Sequence, residues 1–189
     1  MGWADRLQEA YGGGVDAGTD PVAVDVPADR WVDAVTTARD VLGCTFFDWL
    51  SAVDEGGDGF RVVCHLAAHR PGAVDHLVVR TLLPREHPSL PSVAGVFAGA
   101  RWHERETHEM FGIEVTEGGE VLDLEPLLLP EEFEGHPLRK DFVLASRVAR
   151  TWPGAKEPGE SESTPVPKRS RRPARPPGVP DPEEWGSHE

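Results

Sequence analysis

Two histidines and several carboxylates lie close together between Trp102 and Gly112, so a metal site is the first chemistry to consider. A zinc-protease helix carries its two metal-binding histidines at positions i and i+4, which places both on one face. Here His103 and His108 are spaced at i and i+5 and would project about 140° apart around a helix axis, while position 107 is a threonine. The spacing therefore argues against a metal site, and none is predicted on this chain.

A second pattern in this segment joins Trp102, Glu106 and Met110, which are spaced at i, i+4 and i+8 and so share one face of a helix. The pattern puts a carboxylate inside an apolar stripe. Burying an unpaired carboxylate costs several kcal/mol. If the stripe is covered, Glu106 must therefore meet a cation or several hydrogen-bond donors.

Candidate cations lie downstream, in the motif Gly135–Phe142 (GHPLRKDF). Proline fixes its own backbone dihedral and disfavours helix at His136, so a tight loop is predicted that holds Arg139 and Lys140 in a defined direction. Arginine can bind a carboxylate through two parallel hydrogen bonds, whereas lysine cannot. Either the two motifs form an ion-pair network that shapes a docking surface, or the network ties the end of the domain down. His136 by itself is predicted to be a turn residue rather than a catalyst.

Helices and strands that must position these motifs can be predicted from periodicity. Helical spacing of apolar residues runs from Trp3 to Tyr11, an edge strand is predicted at Val22–Val26, and a second helix follows Pro27 and ends at Gly43. A third, short helix is predicted between Ser92 and Ala100. The apolar stripe of the second helix comprises Trp31, Val32, Val35, Ala38, Val41 and Leu42.

Three strand-like runs, Thr45–Val53, Phe60–Ala68 and His76–Leu83, are separated by Gly-rich and Pro-Gly turns, which indicates an antiparallel meander. In the middle run one face is apolar and should pack on the helices, while Arg61 and His65 lie on a mixed face. The predicted fold class is α+β, an antiparallel or mixed sheet with helices packed on one face, followed by an extended C-terminal segment. The residues of the apolar face are Phe60, Val62, Cys64 and Leu66.

Composition divides the chain into a predicted α+β domain, residues 1–152, and a Pro-rich tail, residues 153–189, that is predicted to be disordered. The tail contains a basic cluster, Lys168–Arg172, predicted to be a solvated stretch or a contact with an anionic lipid or acidic protein surface. The net charge of −14 argues against nucleic acid as a partner. Cys44 and Cys64 sit in apolar runs and are predicted to be buried thiols rather than a disulfide or cluster ligands.

The two charged motifs together resemble the family of the C subunit of respiratory complex I, the thirty-kilodalton subunit of NADH-quinone oxidoreductase. The resemblance rests on Glu104–Ile113 (ERETHEMFGI) and Gly135–Phe142, with weaker likeness at Leu90–Val93 and from Trp3 to about Trp152. Family members usually carry a further Gly-His-Pro stretch after Phe-Gly-Ile, whereas this chain has the acidic segment Glu114–Pro126.

This resemblance implies a non-catalytic, structural subunit of the peripheral arm of a respiratory NADH:quinone oxidoreductase, on the cytoplasmic side of a bacterial cell membrane. It implies packing against the hydrogenase-like, D-type protein of the quinone site and the B-type protein of the terminal cluster, with membrane contact only through the complex. Flavin and iron-sulfur clusters are expected on partner subunits, quinone is the substrate of the complex, and no catalytic residue, cofactor or metal is expected on this chain. The interface motif would comprise Trp102, Glu104, Arg105, Glu106, Glu109, Phe111, Gly112, Gly135, His136, Pro137, Leu138, Arg139, Lys140, Asp141 and Phe142.

Three alternatives stay open. The acidic segment suggests a homologous subunit of a divergent complex I-like or membrane-bound hydrogenase-type assembly without NADH input. The chain could instead be an enzyme in its own right, a hydrolase or metal enzyme that uses His103, Glu104, His108 or His136. It could also be a free-standing interaction adaptor that uses its acidic domain and basic tail.

Overall fold

The computed structural model describes residues 3–11, 14–130 and 133–143. The chain divides into two units, Met1–Lys140 and Asp141–Glu189, and the described helices and strands all belong to the first. The helices are α1 (Trp3–Tyr11), α2 (Trp31–Asp40) and α3 (Ala100–Phe111). The strands are β1 (Val15–Asp16), β2 (Val22–Asp25), β3 (Phe46–Asp54), β4 (Phe60–Arg70), β5 (Ala73–Leu83), β6 (Ser89–Pro91), β7 (Glu114–Glu117) and β8 (Glu120–Val121). The predicted boundary after residue 152 and the predicted disorder of residues 153–189 lie outside the described residues.

The larger sheet has the strand order β1-β2-β5-β4-β3. Its strands β3, β4 and β5 form the predicted antiparallel meander, and β2 joins β5 in parallel. The prediction that β2 is an edge strand is wrong, because β1 pairs with it on the far side. A two-residue strand is too short to produce a periodic pattern, so the sequence gives no sign of it.

One face of this sheet carries the core, as predicted. The predicted apolar face of β4 is buried, and it packs in one cluster with Leu7 of α1, Trp31 of α2 and Phe111 of α3. The α+β class with helices on one face is therefore confirmed. Cys44 and Cys64 are both buried and free, in agreement with their prediction as small hydrophobic residues.

Helix α2 is shorter than its predicted apolar stripe. The residues that face the core are Trp31, Ala34, Val35 and Ala38, at the spacing of a narrow helical face. The helix ends at Asp40, so Val41 is 66% exposed rather than part of the stripe. The predicted stop at Gly43 is therefore too late, since the helix ends three residues earlier; Gly43 has a left-handed backbone, with φ of 78°, in the turn that follows.

The predicted helix between Ser92 and Ala100 is wrong, since this stretch forms consecutive turns that lead directly into α3. Its first residues are held by a distant side chain rather than by helical hydrogen bonds, because the backbone N–H of Val93 donates to the carboxylate of Glu104 at 2.7 Å. A second, small sheet has the strand order β6-β7-β8. In the chain, β6 precedes α3, whereas β7 and β8 follow it. The turns and this sheet position α3.

Candidate interaction site on helix α3

Helix α3 buries a different face from the stripe formed by Trp102, Glu106 and Met110. Its buried residues are Ala100, Glu104, Thr107 and Phe111, at the spacing i, i+4, i+7 and i+11. Trp102, at the start of the predicted apolar stripe, is instead 60% exposed. The apolar stripe is a poor guide to the buried face, because that face contains the polar residues Glu104 and Thr107, whereas the apolar side chain of Trp102 is exposed.

Glu104 is the carboxylate that α3 buries. Its Oε2 accepts a hydrogen bond from the Ser92 hydroxyl at 2.8 Å, and its Oε1 accepts the Val93 N–H. Burial raises the pKa of Glu104, and this effect outweighs the lowering by these two hydrogen bonds. Glu104 therefore fixes the turn that precedes α3 at an electrostatic cost.

The raised pKa of Glu104 gives a stability prediction with a definite sign. A carboxyl whose pKa is higher in the folded state favours folding below its unfolded pKa, near 4.3, and this contribution is lost as the pH rises through the folded pKa. We expect Glu104→Gln to be destabilised by about 1 kcal/mol at pH 4, where one of the two hydrogen bonds is weakened, and by less at pH 7. Urea unfolding at both pH values measures this, and a Gln variant that is worse at pH 7 than at pH 4 contradicts it.

Two other charged residues of α3, Arg105 and Glu109, hold the loop 125–129. Arg105 donates to the carbonyls of Glu125 and Pro126 at 3.0 and 2.8 Å, and its guanidinium lies 5.1 Å from the centre of the Trp102 ring. The Glu109 carboxylate accepts the backbone N–H groups of residues 127, 128 and 129 at distances of 2.9 to 3.2 Å. Both side chains thus bind main-chain atoms and give an otherwise irregular loop a fixed path.

The last turn of α3 is capped by the loop Gly135–Lys140. The four C-terminal carbonyls of a helix lack partners within the helix, and a cationic side chain placed there also complements the helix dipole. His136 Nδ1 donates to the Glu109 carbonyl at 2.9 Å, and Arg139 Nε donates to the Phe111 carbonyl at 2.5 Å. The Leu138 N–H donates to the Met110 carbonyl at 3.1 Å. The two charged motifs therefore converge, but through hydrogen bonds to main-chain carbonyls of α3 rather than through an ion pair.

The predicted pairing of Glu106 with Arg139 is wrong. Arg139 donates to the helix terminus and lies over the ring of Phe60, with 5.1 Å between the guanidinium and the ring centre. Gly112 makes this approach possible, because a Cβ at this position would lie 2.4 Å from both Arg139 Nη2 and His136 Nε2. Gly112 also has the left-handed backbone typical of a helix C-terminus, with φ of 68°.

Asp54, at the end of β3, is an important residue that the sequence analysis missed. Its side chain is 1% exposed, and it accepts hydrogen bonds at 2.8 Å from Arg85 Nη1 and from the backbone N–H groups of Gly56 and Lys140. Burial raises the pKa of Asp54, but these bonds outweigh that effect and lower it to about 2. The residue anchors the capping loop to the sheet. From the local sequence alone, only the Asx turn that Asp54 forms with the Gly56 N–H could have been recognised.

Comparison with known proteins agrees with the two motifs. The model of the family described as "Respiratory-chain NADH dehydrogenase, 30 Kd subunit" matches residues 24–148, well over half of the chain. The chain belongs to this family. The match spans α3 and the capping loop, so the charged side chains described above are part of the region that the family model covers.

Relatives in the family include the C subunit of NADH-quinone oxidoreductase from Roseiflexus sp. (strain RS-1), which is 40% identical over 136 residues, or 69% of this chain and 75% of the relative. The corresponding C subunit from Chlorobium phaeobacteroides (strain DSM 266 / SMG 266 / 2430) is 36% identical over 162 residues and covers 82% of this chain and 92% of the relative. A solved trypsin-resistant fragment (1-134) of Nqo5 has a TM-score of 0.51 and 28% identity, covering 61% of this chain and 96% of the fragment.

One polar feature of this member of the 30-kilodalton subunit family, a hydrogen-bonded chain of side chains, lies outside the predicted motifs. On the open face of the sheet, Asp48 of β3, His65 of β4 and His76 of β5 form a hydrogen-bonded chain with distances of 2.8 and 3.2 Å. Because a carboxylate only accepts, His65 Nδ1 carries the proton of the first bond. The chain links three adjacent strands, and in the described part of the molecule neither a hydroxyl nor a thiol joins it.

A metal-binding cluster and a membrane-spanning helix are both absent from residues 3–11, 14–130 and 133–143, the ranges that the structure describes. Within these ranges, no group of three or more histidine, cysteine or acidic side chains could hold a metal ion. His103, one of the two histidines first considered, packs edge-on against Phe47, with ring centres 5.3 Å apart. None of the helices found there combines the length and apolar character needed to cross a membrane.

Proposed function

We propose that this chain is a non-catalytic, structural subunit of the peripheral arm of a respiratory NADH:quinone oxidoreductase. The observation that supports the proposal is that charged side chains of the family motifs bind main-chain atoms of their own domain. Glu109, Arg105, His136 and Arg139 bind backbone atoms in and around α3 and its neighbouring loops. Side chains engaged in this way stabilise a surface, whereas catalysis requires groups that face a substrate.

The nature of the partners follows from relatives that are named as subunits of NADH-quinone oxidoreductase. Under this proposal the chain packs against the D-type protein of the quinone site and the B-type protein of the terminal cluster. Flavin and iron-sulfur clusters belong to partner subunits, and quinone is the substrate of the whole complex. The chain lies on the cytoplasmic side of the cell membrane and is attached to it through the complex.

A homologous subunit of a divergent assembly without NADH input is the second candidate, and the observation that favours it is the acidic segment after α3. Glu114, Glu117 and Glu120 lie exposed on the hairpin of β7 and β8, where the family pattern usually continues with Gly-His-Pro. A hairpin of different sequence at the edge of the small sheet presents a different surface to a partner protein. The two candidates differ in the electron-input subunits that accompany the chain.

Copurification tests the proposal directly. A tagged chain is expressed in its host, membranes are solubilised gently, and the bound proteins are identified by mass spectrometry. We expect a quinone-site subunit and a cluster-bearing subunit in near-equal amounts with the chain. NADH-binding subunits in the same fraction favour the standard complex, and their absence favours the divergent assembly. Recovery of the chain as a lone monomer contradicts both.

A further inference from the structure

The face of α3 that carries Trp102, Glu106 and Met110 is called here the α3 stripe. It begins on the exposed side of the helix at Trp102, continues through half-buried Glu106, and ends at half-buried Met110, which packs against the hydrophobic core. Leu138, which is 54% exposed, adjoins its C-terminal end, because the Leu138 N–H donates to the Met110 carbonyl. Apolar side chains thus flank one carboxylate on both sides.

The carboxylate of Glu106 is not compensated within the domain. Across the described ranges no hydrogen bond or ion pair reaches it, and Arg139, the cation predicted to meet it, is bound to the end of α3. The other carboxylates of α3 differ, since Glu104 and Glu109 each accept backbone N–H groups. Of the three, Glu106 alone remains available for a charge from another molecule.

Both apolar members of the stripe have contacts within the domain. The guanidinium of Arg105 lies over the Trp102 ring and itself donates to two carbonyls of the loop 125–129. Met110 packs against the hydrophobic core. Aromatic side chains with restricted motion lose little entropy on binding and often dominate interfaces. An exposed tryptophan ordered in this way is well suited to fit a recess in another protein.

We propose that the α3 stripe docks on another protein of the same complex, which places an arginine or lysine against Glu106 and a recess around Trp102. Charge complementarity identifies this occupant, because covering an unpaired carboxylate is unfavourable unless a cation meets it. A second copy of the chain fits poorly: its first 155 residues carry 26 acidic and 13 basic residues, so two copies repel each other. The inference rests on the proposed function and names the surface that performs it.

Photo-crosslinking in the intact complex locates the surface. A photoreactive amino acid replaces Trp102 or the adjoining Leu138 in the tagged chain, and Val53 or Leu82 in control chains, since these two are exposed on the open face of the sheet. We expect the first pair to crosslink to one and the same partner protein. Crosslinks from the control positions alone, or from the stripe to a second copy of the chain, overturn the inference. If the unmodified chain does not copurify with other subunits, the proposed function itself fails.

Charge variants test the role of Glu106. We expect Glu106→Lys to reduce recovery of the complex at least tenfold and Glu106→Gln to reduce it less, with the isolated chain still folded by circular dichroism. Glu9→Lys makes the same change at an exposed helical residue, on α1, outside both motifs and the acidic hairpin, and should leave recovery unchanged. Equal recovery with Glu106→Lys and the wild type overturns the inference, as does equal loss with Glu9→Lys.

Discussion

Replacing Asp54 with asparagine is expected to lower the free energy of unfolding by about 2–4 kcal/mol, the range for a buried charge network that loses one partner. The asparagine keeps the shape but places an amide N–H₂ or a neutral oxygen where Asp54 accepts from Arg85 and Lys140. The buried end of β3 and the start of the capping loop both lose an anchor. Urea unfolding of the purified chain at pH 7 measures the effect.

The pH dependence of the same variant provides an internal check. Because the pKa of Asp54 is lowered to about 2 in the folded protein, its contribution is present at neutral pH and is lost as the pH falls from about 4 towards 2. The difference between the wild type and Asp54→Asn should therefore shrink in acid. Asp33→Asn is the control, since its ion pair with Arg30 is exposed and should be worth less than about 1 kcal/mol. Equal losses for both variants contradict the anchoring role.

Gly112→Ala is expected to cost a similar amount, about 2–4 kcal/mol, and to loosen the capping loop. A left-handed backbone costs about 1–2 kcal/mol for a residue with a Cβ. The added methyl also meets His136 Nε2 and Arg139 Nη2 at 2.4 Å, so these side chains must move and their hydrogen bonds to the end of α3 weaken. Thermal unfolding gives the loss of stability, and hydrogen exchange of the Leu138 N–H reports on the loop.

Gly72→Ala separates the two causes of that loss. Gly72 has φ of 78°, close to the 68° of Gly112, but nothing lies within 4 Å of the position its Cβ would take. It should therefore cost only the backbone term, about 1–2 kcal/mol, and leave the exchange of Leu138 unchanged. If Gly112→Ala is no worse than Gly72→Ala, the close approach of the capping loop to the helix end is not important for stability.

Much of the fold could be predicted because its signals are local. The alternation of apolar and polar residues in β4, and the turns with Gly72 and the Gly-rich segment before Phe60, determine the meander within a few residues. The prediction of a helix between Ser92 and Ala100 was wrong because the interactions that shape this stretch are not local. The Val93 N–H and the Ser92 hydroxyl bind Glu104 of the next helix, and a local pattern does not report a partner that lies beyond its own turn.

The candidate site was predicted in part. Both motifs were identified and their convergence was expected, but the chosen contact, Glu106 with Arg139, assumed that the most apolar stripe of α3 is the buried one. The helix rotates instead to bury Glu104 and Thr107, because Ser92 and Val93 offer donors to that carboxylate. Packing of the whole domain, rather than the hydrophobic pattern of twelve residues, determines the orientation of the helix.

The sequence by itself identified the residues of the family motifs, since the motifs around Glu104 and His136 are specific in residue type and spacing. It also determined the α+β class, because periodicity is a property of neighbouring residues. Only the tertiary structure decided what those residues do. Arg139 serves a helix end, and Asp54 joins Lys140 across 86 positions of the chain. Such pairings depend on contacts between distant segments, and these exist only after the chain has folded.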